Sequence, residues 1–296
     1  MIPALGINGL LNFIPDSFYL RLMFKAEMGY SLNLKNPKTF NEKLQWLKIY
    51  DRKRKYVSLA DKVGVRSYIS QTIGEEYLIP ILGQWNNASD IEFDKLPNEF
   101  VLKCNHDSNS VIICRDKEKF DFENAKKKIM KHLKRNAYYG GREWPYKYIK
   151  PCVIAEKYMF DESQPALTDY KFFCFNGKAK FLYVSTGLEQ HETASISFFD
   201  LEWNRLPYRR MDYKEYEGNL TMPKHFDEMK DLADLFAEDI DAPFVRIDLY
   251  EINNQVYFSE FTFTPCCGMI PFYPSEWDKN IGQMLKLPYE IMNKCS

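Results

Sequence analysis

The sequence predicts an α+β protein with a mostly antiparallel sheet, on three observations. Apolar residues recur at helical spacing between residues 16 and 72, strand-like runs dominate from Pro151 onward, and Asn176-Gly177 between two of those runs is a strong hairpin signal. The chain has 296 residues, 45% hydrophobic and 27% charged, an ordinary globular composition long enough to bury a substantial core.

Taken in order, residues 16–28 predict a helix with Phe18, Leu22 and Met23 on its apolar stripe. Residues 40–50 predict a second, with Thr39-Phe-Asn-Glu42 as a capping box ahead of Leu44, Trp46 and Leu47. A third spans about 58–72. Tyr77 to Leu82 and Glu99 to Cys104 then read as strands on either side of an acidic, turn-rich stretch. Residues 122–136 form a basic helix in which Lys126, Lys127, Lys128, Lys131, Lys134 and Arg135 read first as a solvated face. Strands follow at 152–159, 170–175, 179–184 and 195–199. Pro223 is expected to open a helix to about 240, with Met229, Leu232, Leu235 and Phe236 on one stripe.

The last hairpin carries acids that need a reason. Phe244-Val-Arg-Ile-Asp-Leu-Tyr250 is followed by Asn253-Asn254 and then by Val256-Tyr-Phe-Ser-Glu-Phe-Thr262. Side chains alternate faces along a strand, so Arg246 shares a face with Asp248, and Glu260 with Thr262. A three-residue connection, 253–255, sets Asp248 across from Glu260 and Arg246 across from Thr262; a two-residue turn puts Glu260 beside Ile247 instead. The three-residue connection is favoured because it leaves Val245, Ile247, Leu249, Phe261 and Phe263 together on one apolar face. Two carboxylates side by side then call for a cation, and magnesium, which takes carboxylate and phosphate oxygens, suits them. A wetted edge hairpin with solvated acids is the bland alternative.

Net charge is -1 and the pI about 6.5, so charge gives no global case for nucleic acid or an anionic membrane. Seven cysteines without a CxxC pair, four of them in apolar runs, read as reduced thiols of a cytoplasmic protein. No stretch is long and apolar enough for a membrane span. Walker and dinucleotide-binding glycine motifs are absent, and the four histidines accompany no nucleophile signature.

Three further features suit a nucleotide. Lys103 ends a buried strand before the polar loop Asn105-His-Asp-Ser108-Asn-Ser, where a lysine and loop amides can reach phosphate; the same pattern reads equally as a snorkelling lysine before an ordinary hairpin. Glu156, Lys157 and Met159 lead from a strand into a linker with Asp161, Glu162, Ser163 and Pro165, whose exposed backbone can read an adenine edge. Asp169 and Lys171 share a strand face and suit ribose hydroxyls and a phosphate, or form a surface ion pair. Arg209, Arg210 and Lys214 read first as a solvated basic turn, with binding of an acidic substrate as the alternative.

The order of these features resembles the ATP-grasp superfamily, and within it the TupA-like family named for teichuronopeptide synthesis. The blocks that carry the resemblance are Thr39-Phe-Asn-Glu-Lys-Leu-Gln-Trp-Leu-Lys48, Ala60-Asp-Lys62 with Val65-Arg66, Phe100-Val-Leu-Lys-Cys-Asn-His106, Ile154-Ala-Glu-Lys-Tyr158 and Phe261-Thr-Phe-Thr-Pro265, spread over residues 16 to 290. The resemblance implies two α+β lobes clamping ATP, with a helical N-terminal region over 1–57, a leading segment over 58–98, a small ATP-binding lobe over 99–160 and a metal-bearing lobe over 161–296. It implies an ADP-forming carboxylate–amine ligase working through an acyl phosphate, with ATP and two magnesium ions. Lys62, Lys103, His106, Ser108, Glu156, Lys157, Met159 and Asp169 would bind the nucleotide; Lys171 and Arg246 would neutralise the transferring phosphoryl group; Asp248, Glu260 and Thr262 would hold metal. A uronic or amino acid and an amine are the implied substrates, in cell-surface polysaccharide synthesis, with peripheral contact to membrane-associated machinery. A glycosyltransferase, with Trp144, Tyr146, Tyr148, Trp203 and Tyr208 stacking on sugars, is the rival reading, and a non-catalytic binding module is the other. Three places depart from the family pattern: Thr262 stands where many ATP-grasp enzymes carry an asparagine metal ligand, Cys266-Cys267 fills a turn where more glycine is expected, and Asn109 stands where a glycine would suit a phosphate loop.

Overall fold

The computed structural model describes residues 6–162, 167–187 and 194–289; Ser163, Pro165, His191 and Cys295 lie outside them. The chain separates into two compact units, residues 1–13 with 53–159 and residues 14–52 with 160–296.

The first unit holds a four-stranded antiparallel sheet of β1 (Ile81–Trp85), β2 (Phe100–Cys104), β3 (Ile112–Cys114) and β4 (Val153–Lys157), in the order β1-β4-β2-β3. Its strands sort their side chains by alternation. Phe100, Leu102, Cys104, Val153 and Ala155 join Ile129 of the basic helix (Phe122–Leu133) in one core, while Val101, Lys103, Ile154 and Glu156 fall on the other face. On the basic helix, Lys127, Lys128, Lys131 and Lys134 are exposed, as a solvated face requires. The strand expected at 77–82 starts later, after Pro80. The single helix expected over 58–72 is two, Lys55–Ala60 and Gly64–Thr72. Asp61 explains the break: its Oδ1 accepts from the Val63 amide (2.9 Å) and from Asn105 Nδ2 (2.8 Å), so the chain turns here rather than continuing.

The second unit is built on a five-stranded antiparallel sheet, β10-β9-β5-β6-β7, from β5 (Thr168–Phe175), β6 (Lys178–Thr186), β7 (Ser195–Phe199), β9 (Phe244–Ile252) and β10 (Gln255–Thr262). The short β8 (Arg209–Arg210) pairs with β11 (Phe272–Tyr273). Helix Phe226–Ile240 covers one face of the large sheet, with Phe236 against Phe258 and Phe261, and Phe226 against Phe172. Met229, Leu232 and Phe236 are buried as expected, but Leu235 is 45% exposed. Pro223 does not open this helix; the Glu251 carboxylate accepts from the His225 amide (2.8 Å) and marks its start.

Helix Phe40–Tyr50 starts from the expected capping box and packs Phe40 on Phe173, Phe175 and Phe244. Helix Asp16–Met28 buries Tyr19, Leu20, Met23 and Phe24, so its inward stripe is one step from the expected one and Phe18 and Leu22 are exposed. Trp203 is stacked on Phe199, and Tyr208 is buried against Trp277 and Phe198, so both aromatics serve the core. Among the described residues, no helix is long and apolar enough to cross a membrane.

Candidate functional site

Strand register assembles the main constellation. Tyr183 on β6 pairs with Lys171 on β5, Lys171 with Asp248 on β9, and Asp248 with Glu260 on β10, so four polar side chains form a single row across four strands. Arg246 and Thr262 form the neighbouring pair. The connection that produces this is not the three-residue one. Asn253 and Asn254, with φ of 51° and 60°, form a two-residue turn pairing Ile252 with Gln255, and a bulge between Phe258 and Glu260 then inserts one extra residue, Ser259. That residue returns Glu260 to the face of Asp248, so the expected pairing holds by a different route. The β5–β6 hairpin does the same: Phe175 pairs with Lys178 across Asn176-Gly177, and a shift at Lys180 brings Tyr183 opposite Lys171.

The cation between the two acids is Arg246. Its Nε donates to Asp248 Oδ1 (2.7 Å), and its Nη2 donates to Asp248 Oδ2 (2.7 Å), Glu260 Oε1 (3.2 Å) and Thr262 Oγ1 (3.0 Å). Lys171 Nζ reaches Asp248 Oδ2 (2.6 Å) and Asp169 Oδ1 (2.9 Å). Asp248 is fully buried, at 0% exposure, while the Glu260 side chain is 28% exposed. Burial by itself would lower the Lys171 ammonium, but Asp169 and Asp248 outweigh it and hold it well above the ordinary lysine value. The same contest, won by Asp248, Tyr183 and Glu260, keeps Arg246 charged. Asp169 therefore sits with Lys171 and Asp248 rather than acting as an isolated surface pair.

Tyr183, which sequence reasoning missed, and Arg210, which it placed in a basic turn, complete the cluster. The Tyr183 hydroxyl accepts from Nη1 of Arg246 (3.3 Å) and Nη1 of Arg210 (3.4 Å). Burial pushes its phenol up, so it stays neutral between two guanidinium groups. Arg210 is 7% exposed, not solvated: it pairs with Asp212 and donates to Cys266 Sγ (3.0 Å). The signal was present in Tyr208-Arg-Arg, where alternation puts Tyr208 and Arg210 on one side. The turn after Pro265 runs through three left-handed residues, Cys266, Cys267 and Gly268, with φ of 50°, 57° and 61°, which is why glycine was expected there. Gln45 Nε2 binds the carbonyls of Cys267 (3.1 Å) and Gly268 (2.7 Å), and Lys48 also holds Cys267 O. A Cβ at Gly268 would meet Leu44 Cβ and Gln45 Nε2 at 2.7 Å, so glycine is required at that one position.

In the first unit Lys103 Nζ pairs with Glu156 Oε2 at 2.6 Å, on the face away from the core. Arg66 lies on the same side: burial lowers its guanidinium, Glu156 opposes the shift, and its Nη1 donates to Ile79 O (3.0 Å). Lys157 is exposed and donates its amide to Pro80 O (3.0 Å); Met159 is half-buried. Lys62 and His106 brace the loop after β2. Lys62 Nζ donates to Asp107 O (2.7 Å), and His106 is 2% exposed, with Nε2 3.0 Å from Arg135 O. The Asp107 carboxylate accepts from Ser110 and hydrogen-bonds His132, which leaves Ser108 and Asn109 as the exposed tip.

A profile described as TupA-like ATPgrasp matches residues 42–286. Among solved structures, the chain is similar to an L-amino acid ligase from Bacillus licheniformis, at 13% identity, 93% coverage of this chain, 63% of that one and a TM-score of 0.46. It is similar to the D-alanine–D-alanine ligase from Bacillus anthracis complexed with ATP, at 15% identity, coverages of 70% and 55% and a TM-score of 0.42. For D-alanyl-alanine synthetase A from Vibrio cholerae the values are 15%, 80%, 64% and 0.42. The chain spans less than two thirds of the length of each of these proteins. No curated protein matches it. Because the profile covers most of the sequence, from the capping-box helix to beyond the acid-bearing hairpin, the chain belongs to the TupA-like ATP-grasp family, and its fold is the ATP-grasp fold.

Proposed function

We propose that the chain is an ATP- and magnesium-dependent ligase that joins a carboxylate to an amine. A substrate carboxylate attacks the γ-phosphorus of ATP, ADP leaves, and the acyl phosphate is attacked by an amine to give an amide and phosphate. The observation that carries this reading is the row Tyr183, Lys171, Asp248 and Glu260 with Arg246 beside it, in a chain of this family. Fixed cations in a dry site are worth most where charge develops on a transferring phosphoryl group, and Lys171 and Arg246 are held charged by their neighbours. Asp169 keeps Lys171 aimed along the row.

The donor chemistry of Asp248, Glu260 and Thr262, two carboxylates and a hydroxyl, suits a hard divalent ion, although the position between the acids is taken by the Arg246 guanidinium. Magnesium, when bound, would neutralise the polyphosphate and orient it. On the first unit, Lys103 with Glu156 supplies a charge and an acceptor to a nucleotide, the backbone of Lys157 to Met159 supplies the adenine edge, and Lys62 and His106 act by holding the loop whose tip is Ser108. The substrate we favour is a uronic acid or an amino acid of a cell-surface polysaccharide, processed in the cytoplasm. A screen of ADP release over uronates, glutamate and amines tests the reading: turnover that needs both a carboxylate and an amine supports it, and silence across all pairs, with no thermal shift on adding magnesium and ATP, sinks it.

A further inference from the structure

We infer that Arg246 is the resident cation of the two-acid site, so that a divalent ion enters only together with a polyphosphate that takes over the guanidinium. The inference rests on the ligase reading and sets the order in which that site is filled. Asp169, Asp248 and Glu260 carry three formal negative charges against two positive ones on Lys171 and Arg246, and the adjoining Arg210 is balanced by Asp212, so the cluster has a net charge of only -1.

Both oxygens of Asp248 accept from cationic nitrogens at 2.6–2.7 Å, and no part of its side chain is exposed. Thr262 is turned the same way: it accepts from Arg246 and its hydroxyl donates to Glu260 at 3.3 Å. A lone divalent ion would have to displace a bidentate guanidinium whose carboxylate partners among the described residues are Asp248 and Glu260, and then sit against the buried Lys171 and Arg246. A triphosphate removes both obstacles. Its oxygens match the planar fork of arginine, and its charge offsets the added metal. Outside the acids and Thr262, the Tyr183 hydroxyl accepts from Arg246 Nη1, and it anchors that nitrogen while the other nitrogens change partner. Glu260, the more open acid, is the first carboxylate such a pair of ligands would reach.

The test is the binding of manganese, as a spectroscopic substitute for magnesium, to the full chain, followed with and without AMP-PNP by water proton relaxation enhancement, with the protein-free manganese–AMP-PNP titration subtracted so that only protein-bound metal is counted. Wild type is expected to bind manganese alone at least about 100-fold more weakly than with AMP-PNP. Arg246→Gln is expected to raise affinity for manganese alone at least about tenfold, and adding Glu260→Gln to remove that gain. If Arg246→Gln does not fold, the wild-type comparison still decides. Wild type binding manganese alone as tightly as with AMP-PNP overturns the inference and leaves the ligase reading standing, whereas no binding of manganese with AMP-PNP overturns both.

Discussion

Lys103 with Glu156 and Lys171 with Asp248 are the same kind of pair, a lysine and a carboxylate 2.6 Å apart between neighbouring antiparallel strands, in opposite surroundings. The first keeps 19% of its lysine and 10% of its carboxylate side chain exposed; in the second the lysine is 9% exposed and the carboxylate, shared with Arg246, not at all. Sequence alone does not separate them, since each joins a lysine of one apolar strand to an acid of another. Burial does. The less buried pair can let go of its partner at lower cost, because Glu156 also faces Arg66, while the closed one is part of what holds the strands of its sheet in register.

The largest effect should come from breaking the closed pair. Asp248→Ala leaves Arg246 and Lys171 buried without their shared anion, and denaturant unfolding should show a loss of about 3–5 kcal/mol. Lys103→Met should cost less, about 2 kcal/mol in the same assay, because its pair is less buried and Arg66 remains near Glu156, yet weaken AMP-PNP at least about tenfold. A large stability loss for Lys103→Met would erase the distinction between the pairs.

A pH series sharpens the comparison further. Burial lowers the His106 imidazole, against Asp107, so the folded protein disfavours its proton. Its contribution is present above the ordinary histidine value and lost as pH falls through the lowered one; melting temperature should drop modestly below about pH 6, and His106→Asn should flatten that part. Lys171 is shifted the other way, so its contribution is intact below the ordinary lysine value and should not change between pH 6 and 9, a range set by its reference pKa of about 10.4. Thiol labelling gives the smallest perturbation. Burial pushes Cys152 up to about 11 and Cys104 up to about 12, so both should resist iodoacetamide in the native state, whereas Cys266, exposed and 3.0 Å from Arg210, should react first among the described cysteines.

Much of this site is legible in the sequence, for a physical reason. A charged residue in an apolar strand is costly, so Lys103, Lys171, Arg246, Asp248 and Glu260 each announce a partner, and alternation says which face it lies on. What alternation cannot supply is a change of register. Both hairpins of the large sheet use two-residue turns and then a bulge, at Lys180 and at Ser259, and each shift moves later residues to the other face. Tyr183 was missed because a regular strand pairs Lys171 with Leu182. The cation between the acids was sought outside the chain, yet Arg246 lies two residues from Asp248 on the same face. Leu235 and the stripe of helix Asp16–Met28 were misplaced because several apolar residues compete for one face, and packing, not periodicity, chooses among them.

The central claim is that the acid row of β9 and β10 serves a magnesium-bound nucleotide. Calorimetric titration of AMP-PNP with magnesium into wild type and Glu260→Gln tests it most directly, since Glu260 is the more open of the two acids and its amide keeps the shape. One site per chain in wild type, weakened at least about tenfold in the variant while melting temperature stays unchanged, is the predicted result; no binding in wild type, or equal binding in both, would contradict it.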